Sequence, residues 1–282
     1  MIVSRKDIID LILEISKQDD AFDILERAFA EIPRGALSGS LLECGIIPEC
    51  FAHDSSEEKL WGQHCDILLA HTWTHLAIPA QVLRARGDSA DVFGVTDAYT
   101  VVGDAKAFRL SRTAKKQKDF KVQALDDWRK SNTYASLVSP LYQYPKRYSQ
   151  IYQQAIDRNV TLISYVHLRF LLDHFAGQDL KPLWVVAASL TKSKNATAYW
   201  KAIDEVVCQL VGKDESALRD YKAQAVAKTK ELGQEGIDFW QARIAAYKKL
   251  SREEAVAQLI KAKKIDQTIQ TIRRAINISL PE

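Results

Sequence analysis

Asp104 and Lys106 place a carboxylate and an amine two residues apart around Ala105, and Asp91 supplies a second carboxylate thirteen residues upstream. Two acids that can share a divalent cation, with an ammonium beside them, are what metal-assisted hydrolysis of a phosphodiester needs. Hard oxygens suit Mg2+, the cation lowers the pKa of its water, and the ammonium offsets charge developing on phosphorus. A basic run follows at once: Arg109, Arg112, Lys115, Lys116, Lys118 and Lys121. From Asp104 to Lys121 seven cations stand against two acids, a local +5 in a chain of +3, so all other residues together carry −2. One basic patch on a near-neutral body fits a polyanion-binding surface, such as one for a nucleic acid backbone. A solvated helix face could carry the same charges.

The acid-x-lysine spacing by itself says little, because it recurs at Glu57/Lys59, Asp119/Lys121, Asp179/Lys181 and Asp220/Lys222. Exposed ion pairs are common and weak. Context separates the five. Only Asp104 follows an apolar strand-like run, Tyr99 to Gly103, and only it has a partner acid on an adjoining predicted strand. On a strand, side chains two apart share a face, so Asp104 and Lys106 stand together; on a helix, as predicted for Glu57/Lys59 and Asp220/Lys222, they diverge.

The elements that must hold these groups are legible in outline. Ser4 caps a helix through Ile8 to Ile15, and Asp19 or Asp20 opens another that ends before Pro33. Ser55 and Glu58 form a capping box at the start of a long helix containing Leu60, Trp61, Ile67, Leu68 and Trp73. The middle of the chain reads as a hairpin, with strands at Val92 to Val95 and Tyr99 to Val102, the second running on to Phe108. After it come a helix from Asp119 to Lys130, a strand from Tyr134 to Val138, a helix from Gln150 to Asp157 and a strand from Val160 to Ser164. The last third is helical, with a second capping box at Ser251 and Glu254. This order predicts an α/β fold, a mixed β-sheet core flanked by helices with helical N- and C-terminal regions. It predicts one domain over residues 1–282: 1–87 mainly helical, 88–176 the α/β catalytic core, 177–282 helical.

Other constellations carry less. His64, His71 and His75 lie on one helical stripe, but the His71/His75 pair lacks the glutamate of a zinc-hydrolase helix. His167 and His174 read as edge residues, and the tryptophans, Trp240 among them, as core. The four cysteines form no Cys-x-x-Cys pair and read as structural thiols of a reducing compartment. No Gly-rich phosphate loop, serine-hydrolase elbow or repeat is present. No apolar run is long enough for a membrane span and no secretory pattern opens the chain, so a cytoplasmic protein without membrane contact is expected.

Asp91…Asp104-Ala105-Lys106 also resembles the PD-(D/E)XK nuclease signature, with Ala90 where that signature often has proline. The run from Asp104 to Val122 resembles, with few substitutions, the active-site region of the HindIII family of type II restriction endonucleases. Weaker similarity lies in Ser56 to Leu60, Gly87 to Val92, Gln143-Tyr144-Pro145 and Ser251 to Ala255, while Asp179 to Lys213 matches poorly. The resemblance implies a PD-(D/E)XK-type sheet core, with Asp91, Asp104 and the Ala105 carbonyl binding Mg2+ and Lys106 as the catalytic amine. Glu58 is a further candidate for metal or water organisation, against its simpler role in the capping box. The resemblance also implies hydrolysis of double-stranded DNA at AAGCTT after the first A, by a two-fold homodimer, with host DNA protected by a cognate methyltransferase. Arg109, Arg112, Lys115, Lys116, Lys118, Asp119 and Lys121 would contact DNA. Lys116 stands where the family pattern has asparagine, a residue suited to adenine. Two alternatives remain open at this point: a DNA-binding protein whose acids form a structural ion-pair cluster, and a repair or junction nuclease on the same fold.

Overall fold

The structure is a computed structural model that describes residues 4–84, 89–112 and 117–276. It divides into two compact units, Met1–Gln234 and Glu235–Glu282.

The first unit opens with helices α1 (Arg5–Ile15), α2 (Ala21–Ala28), α3 (Arg34–Leu41) and α4 (Ser56–His75). The sheet strands are β1 (Ala80–Val82), β2 (Val92–Val95), β3 (Thr100–Ala105), β4 (Tyr134–Ser139) and β5 (Val160–Ser164), in that spatial order. β1, β2 and β3 pair antiparallel, and β3, β4 and β5 pair parallel. Between β3 and β4 lie α5 (Gln117–Phe120) and α6 (Val122–Arg129), and α7 (Gln150–Arg158) crosses from β4 to β5. Every residue of β4 and β5 is buried, as parallel strands covered on both faces must be. The unit is completed by α8 (Tyr165–His174), α9 (Lys181–Ser189), α10 (Ala196–Val211) and the first part of α11 (Glu215–Tyr247). The mixed α/β sheet flanked by helices is the predicted fold class.

Two glycines set how closely α4 lies on the sheet. A Cβ on Gly103 would come within 2.5 Å of the Trp73 ring, and one on Gly94 within 2.8 Å of Ile78 and 3.1 Å of Trp73. Their absence lets the fully buried Trp73 lie directly on β2 and β3, which brings the middle of α4 against the end of β3.

Several boundaries differ from expectation. β3 ends at Ala105 rather than Phe108: the Lys106 N–H still donates to the Val138 carbonyl, but Phe108 pairs with the Gly45 to Ile47 segment instead. The helix expected from Asp119 to Lys130 is two pieces, broken at Lys121, whose φ of +47° is left-handed. β1 and α3 carry no strong periodic signal and were not anticipated. His167, read as an edge residue, is fully buried: its Nδ1 lies 2.7 Å from Ser164 Oγ and its Nε2 2.8 Å from Asp204.

The second unit contains the end of α11, α12 (Arg252–Ala262) and α13 (Ile265–Ile276). Ser251 caps α12 with a complete box: its Oγ accepts from the Glu254 N–H and Glu254 accepts from the Ser251 N–H at 2.8 Å. Trp240, expected in a core, is half exposed.

Candidate active site

Three carboxylates meet at the end of β3. Asp104 is its penultimate residue, with no exposed surface. Asp91 directly precedes β2, and the ladder holds it in register: its N–H donates to the Gly103 carbonyl at 3.1 Å and its own carbonyl accepts from Leu83 at 2.7 Å. Asp66 comes from the middle of α4 and accepts the Ala105 N–H at 3.2 Å. Ligand oxygens of Asp66, Asp91 and Asp104 all lie within 4.8 Å of one another. Asp91 and Asp104 therefore face one pocket, and Ala105 and Lys106 border it.

Lys106 enters this pocket. Lys106 Nζ lies 2.5 Å from Asp104 Oδ1. Apart from that ion pair, neither Asp104 oxygen has a hydrogen-bond partner among the described residues. Burial is the largest influence on Asp66, and repulsion from Asp91 and Asp104 adds to it, so its carboxyl is held well above the usual range. Asp91 is pushed up to about 6, again by burial first and then by Asp104. For Lys106 burial acts downward, but Asp104, Asp91 and Asp66 outweigh it and raise its pKa. Lys106 is thus an ammonium at neutral pH, suited to donating hydrogen bonds and offsetting negative charge. Among the described residues, three crowded acids share the Lys106 ammonium in a poorly solvated pocket, and their carboxylate oxygens are hard donors. The residues present fit a divalent cation.

Asp66 escaped the sequence reading because it belongs to no short motif. A signal existed: it is the lone acid among Cys65, Ile67, Leu68, Leu69 and Ala70, where burial of an ionisable group calls for a reason.

The basic run divides. Arg109 is largely enclosed, donating to Glu58 Oε1 at 2.9 Å, to the Pro48 carbonyl at 3.3 Å and to the Ala52 carbonyl at 3.1 Å. Arg112 pairs with Asp119 at 2.5 Å, which engages the acid proposed to read a base. Lys121 is exposed, its Nζ 5.6 Å from the centre of the Trp128 ring. Lys115 and Lys116 lie outside the described residues, as does the side chain of Lys118. Glu58 takes only half of the expected capping box. Its N–H donates to Ser55 Oγ, but its carboxylate turns to Asp54 N–H, His53 and Arg109.

The sequence pattern described as HindIII restriction endonuclease matches residues 8–276, nearly the whole chain. The chain belongs to that family. It is 34% identical over 238 residues to the type II restriction enzyme HindIII of Haemophilus influenzae, covering 81% of this chain and 79% of that protein. This HindIII-family member is a type II site-specific deoxyribonuclease with a mixed-sheet nuclease core. Among its described residues no helix is long and apolar enough to cross a membrane.

Proposed function

We propose that this enzyme hydrolyses phosphodiester bonds of double-stranded DNA at the palindrome AAGCTT, after the first A, with Mg2+ as cofactor. The observation that carries the proposal is the pocket in which Asp66, Asp91 and the buried Asp104, ion-paired with Lys106, crowd together. Asp91, Asp104 and the Ala105 carbonyl would hold the cation, joined by Asp66. When bound, Mg2+ supplies Lewis-acid polarisation of a phosphate oxygen and acidifies a water. Asp104 fixes the Lys106 ammonium where it can donate to the attacking water or to a non-bridging phosphate oxygen. Asp66, tied to the Ala105 N–H, braces the end of β3 against α4 and keeps the carboxylates converged. Lys115, Lys116, Lys118 and Lys121 would contact the DNA, with Arg112 and Asp119 acting as a pair and Arg109 buttressing the start of α4.

Cutting both strands of a palindrome calls for a two-fold homodimer, one catalytic pocket per strand. The protein would work in the cytoplasm beside a methyltransferase that protects host AAGCTT sites, as one nuclease domain spanning residues 1–282. Digestion of a plasmid of known sequence with Mg2+, followed by sequencing of the ends, tests this reading in one step. Discrete fragments ending one base into AAGCTT are expected. Discrete ends at another sequence would overturn the target alone, and no cutting with any divalent cation would overturn the site.

A further inference from the structure

A second basic surface is assembled in the first unit from two segments that are far apart in sequence. Residues 143–156 contain Lys146 and Arg147, residues 190–203 contain Lys192, Lys194 and Lys201, and neither segment contains an acid. The fold joins them. The Ser149 N–H donates to the Lys194 carbonyl at 2.9 Å, the Ala196 N–H donates to the Arg147 carbonyl at 2.7 Å, and Tyr148 and Asn195 form an antiparallel bridge. Asn195 also caps α10, its side chain accepting from the Thr197 and Ala198 N–H groups. This backbone pairing fixes both cation-bearing loops in advance, so a ligand has little ordering cost to meet there.

The first of these loops leaves the carboxyl end of β4, the strand beside β3 and Asp104. Tyr144 holds it in place. Its hydroxyl donates to the Leu137 and Ile163 carbonyls at 2.9 and 3.1 Å, and its ring stacks on Phe120 with centroids 5.1 Å apart. Phe120 stands between Asp119 and Lys121, so the new cations continue the basic run along the sheet edge that carries the acid pocket. Lys146, Arg147 and Lys194 are exposed and make no ion pair among the described residues, whereas Lys192 pairs with Asp157 at 2.9 Å and Lys201 with Glu205 at 3.6 Å. Tyr148 stands among them, 75% exposed.

We infer that Lys146, Arg147 and Lys194, together with Tyr148, hold the phosphate backbone of the duplex being cut, as a second DNA contact beyond the basic run. Cations without protein partners suit phosphate oxygens, the arginine as a fork and the lysines as point charges, and a tyrosine hydroxyl can donate to the same groups. Tyr148 is the one exposed large apolar side chain in the two segments, too little for the apolar centre of a protein interface. The inference extends the duplex-cutting reading and rests on it, but on no particular target sequence.

Lys146→Gln, Arg147→Gln and Lys194→Gln combined test it, by anisotropy titrations of a labelled duplex of arbitrary sequence across a range of salt, with Ca2+ in place of Mg2+. The slope of log binding constant against log salt concentration should fall by about two to three relative to the unaltered protein, one counterion release for each lost phosphate contact. Since these side chains are exposed, the melting temperature should not change. Lys146→Cys and Lys194→Cys, each in a Cys50→Ser background and labelled with a photo-crosslinker, give a second readout: both should cross-link to the duplex. A slope that the triple substitution leaves unchanged overturns the inference, as does failure of both labelled proteins to cross-link. Neither result touches plasmid digestion and end sequencing, which judge the nuclease reading by cleavage and target, so the two failures are distinct.

Discussion

Two groups of metal-capable side chains lie among the described residues, Asp66/Asp91/Asp104 and His53/Asp54/Glu58, each with ligand atoms within 4.8 Å of one another. In ligand type the second is the richer, having an imidazole as well as two carboxylates. Yet it is largely exposed, and Glu58 is engaged by the Arg109 guanidinium, the Asp54 N–H and His53. Burial acts upward on Glu58, but those donors outweigh it and hold its pKa below the usual value. The first group is the reverse: Asp66 and Asp104 are buried and Asp91 half-buried, Lys106 is the cation paired with them among the described residues, and the pKa values of Asp66 and Asp91 are forced up. A group whose charges are already compensated gains little from a cation, whereas a crowded buried group gains a great deal. Uncompensated charge, more than the inventory of ligands, distinguishes the proposed active site from a surface cluster.

The largest expected effects come from breaking the buried group. Asp104→Asn and Lys106→Ala should each lower cleavage by at least about 1000-fold while leaving DNA binding, read by gel shift, within a few-fold of wild type. Appreciable cutting by either variant would contradict the site. Asp66→Asn should lower cleavage by about 100-fold and weaken Mg2+ binding in calorimetry, because it removes a converging oxygen and a brace on Ala105. His53→Ala should change neither by more than about two-fold. If His53→Ala weakened Mg2+ binding more than Asp66→Asn, the two groups would have been ranked the wrong way round.

The same crowding predicts an inverted effect on stability. Asp91 has a folded pKa near 6, above its unfolded value, so its contribution is most favourable at low pH and is lost as pH rises through about 6. Asp66 acts in the same direction. The metal-free protein should therefore be stabilised at pH 7.5 by Asp91→Asn, by about 2–4 °C in melting temperature. Mg2+ should stabilise the wild type and not the variant. At fixed low Mg2+, wild-type cleavage should fall as pH drops below about 6, where Asp91 takes up a proton. Destabilisation by Asp91→Asn in EDTA would show that the acids are compensated by something other than a cation.

How much of this was readable beforehand follows physical range. Asp91, Asp104 and Lys106 were legible because a strand's period of two and one hairpin register bring them together locally. The parallel strands β4 and β5 were legible as short apolar runs between helices. Asp66 was not, because its approach to Asp104 depends on how α4 crosses the sheet, which is set by Trp73 seating on Gly94 and Gly103. Nor could charge alone show that Arg109 faces inward: its three acceptors lie more than fifty residues upstream in sequence. The break at Lys121 depends on a left-handed residue that helix propensity gives no reason to expect.

The smallest effect separates the cations by what they already touch. Arg109 is committed to protein acceptors, so Arg109→Ala should destabilise the fold by about 1–3 kcal/mol by stranding Glu58 and two carbonyls, with little change in how binding depends on salt. Lys121 is exposed beside Trp128. Lys121→Gln keeps the side-chain length and the left-handed backbone while removing the charge. It should leave the melting temperature unchanged and lower the slope of log binding constant against log salt concentration by about one. Titrations of both variants across a range of salt, with an uncleavable duplex and Ca2+ in place of Mg2+, would decide the matter. A slope lowered by Arg109→Ala but not by Lys121→Gln would mean that the ion pair with Glu58 opens on DNA, making the exposed group near α4 part of the DNA surface and not merely its support.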